Sequence, residues 1–556
     1  RPWPYLLLRA RPEPWRLEDI GLAGYAMFFD LQGGRNTREL ALIGLREHLP
    51  APLYDLLAHD GTEWDAPLMG EPRGNPVLPG PDEVDLRQLP APEENGQLTY
   101  SEPAAPGSNN WAVAGALTAD GRAILANDMH LGHRAPNLWF RVRLVYPDAR
   151  APGGRVDVSG VSLPGVPGII VGSNGHVAWG FTNSYGDWLD WYRPSGSPEP
   201  GEVTTFEERI EIKGASPEVL VVRQHPRGPL AEEGAAAGMA LSWVAHQPGA
   251  LNLRLLDMAH ADGLDQALAL SSRGGIPAQN LLLADASGRI AWTIAGHLPQ
   301  RQVETRPEDG AGPDGDAGHA TVACDPGRPS EASNPCTLAS PLPVHARPRI
   351  VDPEDHRLWT ANARVADGEA LAVIGDGGYA LGARQKQIRD ALFERERFSE
   401  ADLLALQLDD RALFMQRWHA LLQENAARQH DTALGELAVA ARHWDGRATP
   451  EAVSYRLVRD WRMAVIDRIA KGLTAPARHA LGDAFVMPDL PQLEGAAWEL
   501  VTQRPEHLLP RRFESWDALF ADAAASTVAD LARRGPLAER TWGERNTARI
   551  CHPLAA

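Results

Sequence analysis

The segment Pro106-Gly107-Ser108-Asn109-Asn110-Trp111 stands where a Pro-rich stretch gives way to an apolar run. By type and spacing Ser108 reads two ways, as a turn residue at a boundary or as a nucleophile. The second reading has definite chemistry. If the bond before Ser108 breaks, the hydroxyl gains a neighbouring α-amino group with a pKa of about 7.7 to 8.0, suited to act as a general base near neutral pH. One residue then supplies both nucleophile and base. Gly107 permits the strained backbone that an acyl shift onto the hydroxyl requires. Competing motifs are missing: the chain has no G-x-S-x-G, H-E-x-x-H or S-x-x-K. A literal G-x-G-x-x-G at Gly310, Gly312 and Gly315 encloses Pro313 among acidic neighbours, with no strand-to-helix unit around it. His130 and His133 form an H-x-x-H pair, but strand alternation sends them to opposite faces and no third metal ligand is evident.

Such a site needs elements to hold it. Residues 1–60 read as helical, with Thr37 as a cap before Leu40, Ile43 and Leu45 and a break at Pro50. Residues 61–107 carry too many prolines for long helices or central strands and form a linker or spacer. The period then shortens to that of strands. Runs at 111–117 and 122–126 flank Asp120-Gly121, a hairpin signal. Further strands are expected at 138–146, 155–161, 168–171 and 176–181, with another hairpin over 280–295 turning near Ser287-Gly288. From 385 onward, apolar residues recur three and four apart, predicting helices over 385–393, 399–408, 413–424, 434–443 and 452–470. Helices, then strands, then helices make an α+β protein rather than alternating βαβ units. The domains divide as 1–60, 61–107, a β-rich core over 108–384 and a helical region over 385–556.

The formal charge of -19, from 54 basic and 73 acidic residues, disfavours nucleic acid and anionic membranes as partners. No apolar run of about 18 residues could span a bilayer. Cys324 and Cys336 flank a loop that a disulfide could close, and two free thiols fit equally; with Cys551 they do not have the spacing of a metal cluster.

The segment Gly107-Ser108-Asn109-Asn110-Trp111-Ala112-Val113-Ala114-Gly115 resembles the start of the catalytic chain in the penicillin acylase family of serine N-terminal-nucleophile (Ntn) hydrolases. Asn127-Asp128-Met129-His130-Leu131 is similar to that family's second strand and places His130 22 residues after Ser108. A His there, rather than the Gln of penicillin G acylases, resembles the cephalosporin and acyl-homoserine lactone acylase branches. Ser173-Asn174-Gly175-His176-Val177-Ala178-Trp179-Gly180-Phe181-Thr182-Asn183 resembles the strand that supplies an oxyanion-hole amide, assigned to Asn183. Thr360-Ala361-Asn362 matches the family's catalytic Asn, and Arg384 its supporting Arg.

The resemblance implies a four-layer αββα Ntn-hydrolase core, self-cleavage between Gly107 and Ser108, and hydrolysis of linear amides such as β-lactam side chains or N-acyl-homoserine lactones. The cleaved α and β pieces stay associated, and the expected compartment is periplasmic or extracellular. By the same alignment Leu131, Val171 and Tyr185 line the acyl pocket, where branched aliphatics at the first two favour an alkyl over a phenylacetyl chain. Gly186-Asp187-Trp188-Leu189-Asp190 resembles the family's calcium loop: Asp187, Asp190 and the Leu189 carbonyl would meet Glu39 around Ca2+, with Asp376 as a further ligand. A solvated acidic turn is the plain alternative. Compared with family precursors, the chain looks like a fragment lacking both ends. Two other functions compete: a conventional serine hydrolase that needs no cleavage, and a noncatalytic calcium-binding scaffold.

Overall fold

The computed structural model of the chain describes residues 3–91, 99–100, 107–194, 202–300, 304–307, 319–322 and 342–552. Upstream of Ser108 stand helices α1 (Leu17–Gln32) and α2 (Thr37–His48). Thr37 is the first helical residue of α2 rather than its cap; the cap is Asn36, whose φ of 43° suits a short side chain that tolerates the left-handed region. Pro50 turns only a corner, because the helix Ala51–Leu57 begins directly after it. Residues 61–91 then run irregularly apart from one short turn of 3₁₀ helix, Leu86–Gln88, as their prolines require.

Two sheets form the centre. Strands β1 (Gly107–Val113), β2 (Ile124–His130), β3 (Phe140–Pro147), β4 (Arg155–Ser162), β5 (Val171–Ser173) and β6 (Val177–Asn183) come first. After them come β7 (Gln279–Asp285), β8 (Ile290–Ala295), β9 (Arg349–Val351) and β10 (Arg357–Thr360). The small sheet has order β10-β1-β2 and the large one β9-β8-β7-β6-β5-β4-β3, with every pairing antiparallel.

Side-chain alternation sorts the layers. Ala112 and Leu358 of the small sheet share a core with Leu282, Ala284, Trp292 and Ile294 of the large sheet. Trp111, Val113 and Trp359 point the other way, onto Ile388 and Leu392 of helix α3 (Ala383–Phe393). Leu281, Leu283 and Ala291 face outward from the large sheet onto Leu255, Met258 and Leu264, which belong to a 3₁₀ segment and the helix Leu264–Ser271. Helix, sheet, sheet, helix is the αββα arrangement. A helical body follows, organised by α4 (Val453–Leu481) and the helix Trp516–Ala532 around Trp418, Trp461 and Phe520. Among the described residues no helix is long and apolar enough to cross a membrane.

The expected hairpin at Asp120-Gly121 is looser than predicted. Strand β1 ends at Val113 and β2 begins at Ile124, and the connection contains the 3₁₀ turn Gly115–Leu117. Glycine is required there: a Cβ on Gly115 would lie 1.9 Å from the Gly121 carbonyl oxygen. The strand also starts earlier, so Ser108 is a strand residue and not a turn residue. Cys324, Cys336 and the G-x-G-x-x-G fall outside the described residues, and Cys551 is a free, exposed thiol.

Candidate active site

Ser108 sits at the second position of β1 on the face turned to the large sheet, 5% exposed. Its Oγ accepts hydrogen bonds from the Asn183 backbone N–H and from Asn362 Nδ2, each at 3.1 Å. Its N–H donates to Asn362 Oδ1 at 2.6 Å, and its carbonyl accepts from Arg384 Nη1 at 3.2 Å. Arg384 also holds Asn362 Oδ1 at 3.1 Å and Asn109 Oδ1 at 2.5 Å. Asn362 Nδ2 further donates to the Asn183 carbonyl at 2.9 Å. Ser108, Asn183, Asn362 and Arg384, separated by up to 276 positions, are thus closed into one network.

Each member is placed by a different element. Asn183 ends β6, its side chain donating to the Leu31 carbonyl of α1 at 2.6 Å. Asn362 lies just past the end of β10 with φ of +66°, a conformation rarely held by a residue with a side chain and common where a functional group must be aimed. Arg384 is in the first turn of α3. The two sheets are stitched by Asn127, whose amide donates to the Asn109 carbonyl at 2.8 Å and the Phe181 carbonyl at 2.9 Å, and by the Thr182–Thr360 hydroxyl pair at 2.9 Å. Asn127 was part of a recognised motif, but its role as a strut between layers has no signature in sequence.

His130 is opposite Gly107 across the ladder and does not bond to Ser108. Its Nε2 meets Asp128 Oδ2 at 2.8 Å and lies 3.4 Å from Asn109 Nδ2. This contact holds the Asp128 carboxyl below its ordinary value. A Cβ on Gly107 would stand 3.1 Å from His130 Nδ1 and 3.5 Å from Arg384 Nη2, so the residue before Ser108 has little room for a side chain.

Two cavities meet at Gly107. An apolar one of about 450 Å³ runs from Ser108 between Met129, Leu131, Val171 and Phe181 and has Leu17, Ile20 and Tyr25 of α1 along one wall. Leu131 and Val171 thus share a cavity with Ser108. Tyr185 does not: its backbone, with φ of +45°, turns it into the second, polar cleft of about 1140 Å³ alongside Asn362 and Arg384. Burial pushes its hydroxyl up to about 12. The contribution of α1 to the apolar wall went unread in the sequence, because an amphipathic helix does not reveal what it packs against.

The polar cleft also holds the acidic loop. Glu39 of α2, 7% exposed, accepts from the Trp191 N–H at 3.0 Å and from the Asn36 amide, which donates again to the Leu189 carbonyl at 3.3 Å. Burial, then Asp190 and Asp187, push the Glu39 carboxyl well above its ordinary value. Asp376 lines the same cleft, bonded to Arg38 at 3.1 Å and to the Gly378 N–H at 2.8 Å. Among the described residues no three His, Cys, Asp or Glu stand close enough together to make a coordination group as they are.

Comparison with known proteins supplies the lineage. A sequence model of the penicillin amidase family matches residues 1–556. Penicillin acylase 2 proenzyme of Pseudomonas sp. (strain SE83) is 27% identical over all of this chain and 69% of its own length. Acyl-homoserine lactone acylase QuiP of Pseudomonas fluorescens (strain Pf0-1) is 27% identical over 52% of the chain, which spans only 37% of that protein. The thermostable penicillin G acylase of Alcaligenes faecalis superposes with a TM-score of 0.56 at 17% identity, over 78% of this chain and 80% of that one, a likeness of fold alone. With its αββα core and a match along its whole length, the chain belongs to the penicillin amidase family of amide hydrolases.

Proposed function

We propose that this chain is an N-acyl amide hydrolase that cuts its own Gly107–Ser108 bond and then works through an acyl-enzyme on Ser108. The observation that carries the reading is the convergence of the Asn183 N–H and the Asn362 amide on Ser108 Oγ. In self-cleavage, Oγ attacks the Gly107 carbonyl carbon, the C–N bond breaks, and the acyl group passes to Oγ while the α-amine is freed. Water then hydrolyses that ester, leaving a Gly107 carboxylate. The first relative's name, a proenzyme, is in keeping with such a step.

In turnover, Oγ attacks the substrate amide carbon and its proton passes to the Ser108 amine, directly or through water. The Asn183 N–H and Asn362 Nδ2 stabilise the oxyanion, and such donors contribute about 3 to 4 kcal/mol each in comparable acyl-transfer enzymes. The amine product leaves with the proton, and water releases the acid. The acyl group fits the apolar cavity and the amine side the polar cleft. Branched side chains at Leu131 and Val171 favour an alkyl acyl chain, as in N-acyl-homoserine lactones, over phenylacetyl.

The acidic loop is proposed to hold Ca2+, with the Glu39, Asp187 and Asp190 carboxylates and the Leu189 carbonyl as hard oxygen donors. The fit rests on one observation: the Asn36 amide, a positively polarised group, already bridges Glu39 and the Leu189 carbonyl. The ion would tie the upstream piece to the downstream one. A compartment outside the cytoplasm, where weak calcium sites fill, suits that role.

N-terminal sequencing of purified protein tests the reading. A second start, Ser-Asn-Asn-Trp, is expected; an active chain that stays uncut at this bond overturns it. Rates on acyl-homoserine lactones, penicillin V and penicillin G test the pocket, and a clear preference for penicillin G refutes the alkyl assignment.

A further inference from the structure

Gln385, the neighbour of Arg384 in α3, is fully buried yet is used neither by the proposed chemistry nor by the hydrophobic core. Its Oε1 accepts the Ala361 N–H at 2.9 Å, and its Nε2 donates to the Arg364 carbonyl at 3.0 Å. These bonds hold the backbone one residue before and two residues after Asn362, the residue kept at φ of +66°. While Arg384 holds the Asn362 side chain, Gln385 holds the backbone on either side of it, and the two are neighbours on one helix.

Gln385 Nε2 also donates to the Ala66 carbonyl at 2.9 Å, and the same oxygen accepts from Trp359 Nε1 at the end of β10, likewise at 2.9 Å. Ala66 is upstream of Ser108. Around it the upstream segment is fastened by the buried Asp65–Arg364 pair at 2.8 Å and by the Leu68 and Met69 N–H groups on the Val365 carbonyl at 2.9 and 3.1 Å. We propose that Gln385 is a positioning residue for the Asn362 donor, and that through Ala66 it makes that donor's placement depend on the upstream piece staying docked. The proposal rests on the reading of Ser108 as nucleophile.

The test uses the cleaved protein and three substitutions. Gln385→Met keeps length and removes all three hydrogen bonds. Because displacing a catalytic group by an ångström costs up to about a hundredfold, kcat should fall roughly ten- to a hundredfold with KM within about twofold. Gln385→Glu keeps the acceptor for Ala361 and regains a donor only when protonated, so its rate relative to the parent should rise as pH is lowered. This ratio carries the test if the Met variant does not fold. Lys386→Ala removes a neighbouring tie to the Glu63 carbonyl, 3.0 Å long, whose acceptor is not among residues 361–364, and should leave kcat within about twofold.

An unchanged kcat in Gln385→Met, a pH-independent ratio in Gln385→Glu, or an equal loss in Lys386→Ala overturns the assignment. Labelling of Ser108 by phenylmethylsulfonyl fluoride tells the two failures apart. A parent that is labelled, with variants that behave as it does, removes the role of Gln385 alone. An unlabelled, inactive parent removes the reading of Ser108 and this proposal with it.

Discussion

Around Ser108 the N–H, the carbonyl oxygen and Oγ each have a partner within 3.2 Å, and the partners bond to one another. Around Glu39, in the same cleft, burial and then the charges of Asp190 and Asp187 push its carboxyl toward the neutral form. Buried polar groups that satisfy each other rigidify a site, whereas like charges held together need a cation or a proton. The difference teaches that the serine centre is closed by hydrogen bonds within the chain, while the acidic centre holds a buried carboxyl against the charge of its neighbours.

Substitutions can break or sharpen this contrast. Replacing Ser108→Ala has the largest effect: intact mass should show an uncut chain and turnover should vanish, since nucleophile and base go together. Asn362→Ala removes one donor from a complete network, and kcat should fall by about a hundred- to a thousandfold in steady-state assays. At the acidic centre, the proposed calcium at roughly a hundred times its Kd would stabilise by about 2.7 kcal/mol. Chelation should therefore lower the apparent melting temperature by a few degrees in the parent and far less in Glu39→Gln.

Smaller still is the effect of filling the apolar cavity. Val171→Phe should shift selectivity away from long alkyl chains by about 1 to 3 kcal/mol per methylene displaced, read as ratios of kcat/KM over a chain-length series. The smallest expected change concerns Asp128, whose folded-state pKa is depressed by the hydrogen bond to His130. A depressed carboxyl contributes stability above its unfolded value of about 3.9 and loses it as pH falls through the lower folded value. Denaturant titrations should thus find Asp128→Asn slightly less stable than the parent at pH 6, the gap closing below about pH 4.

How much was legible varied with the kind of constraint. Strand runs such as Val177–Asn183 and Ile290–Ala295 read out well, because alternation and turn residues are local properties. The tight turn at Asp120-Gly121 failed because Gly115 packs against Gly121 and Gly288, a contact between distant loops that no short window contains. Leu131 and Val171 line the cavity with Ser108, whereas Tyr185, with its left-handed backbone, lines the polar cleft instead, a turn that no local pattern announces. His130, 22 residues after the serine in sequence, reaches Asn109 and Asp128 rather than Ser108 itself, because its place on the ladder is opposite Gly107.

By itself the sequence determined which atoms are available for chemistry, a serine after a glycine with Asn and Arg donors downstream, together with the α+β order of elements, since residue types and periodicities are written along the chain. The tertiary structure decided what those atoms do. Only packing of helix α3, two sheets and the upstream segment brings Asn183, Asn362 and Arg384 onto Ser108 from up to 276 positions away, and directed hydrogen bonds tolerate errors of tenths of an ångström that no one-dimensional pattern specifies.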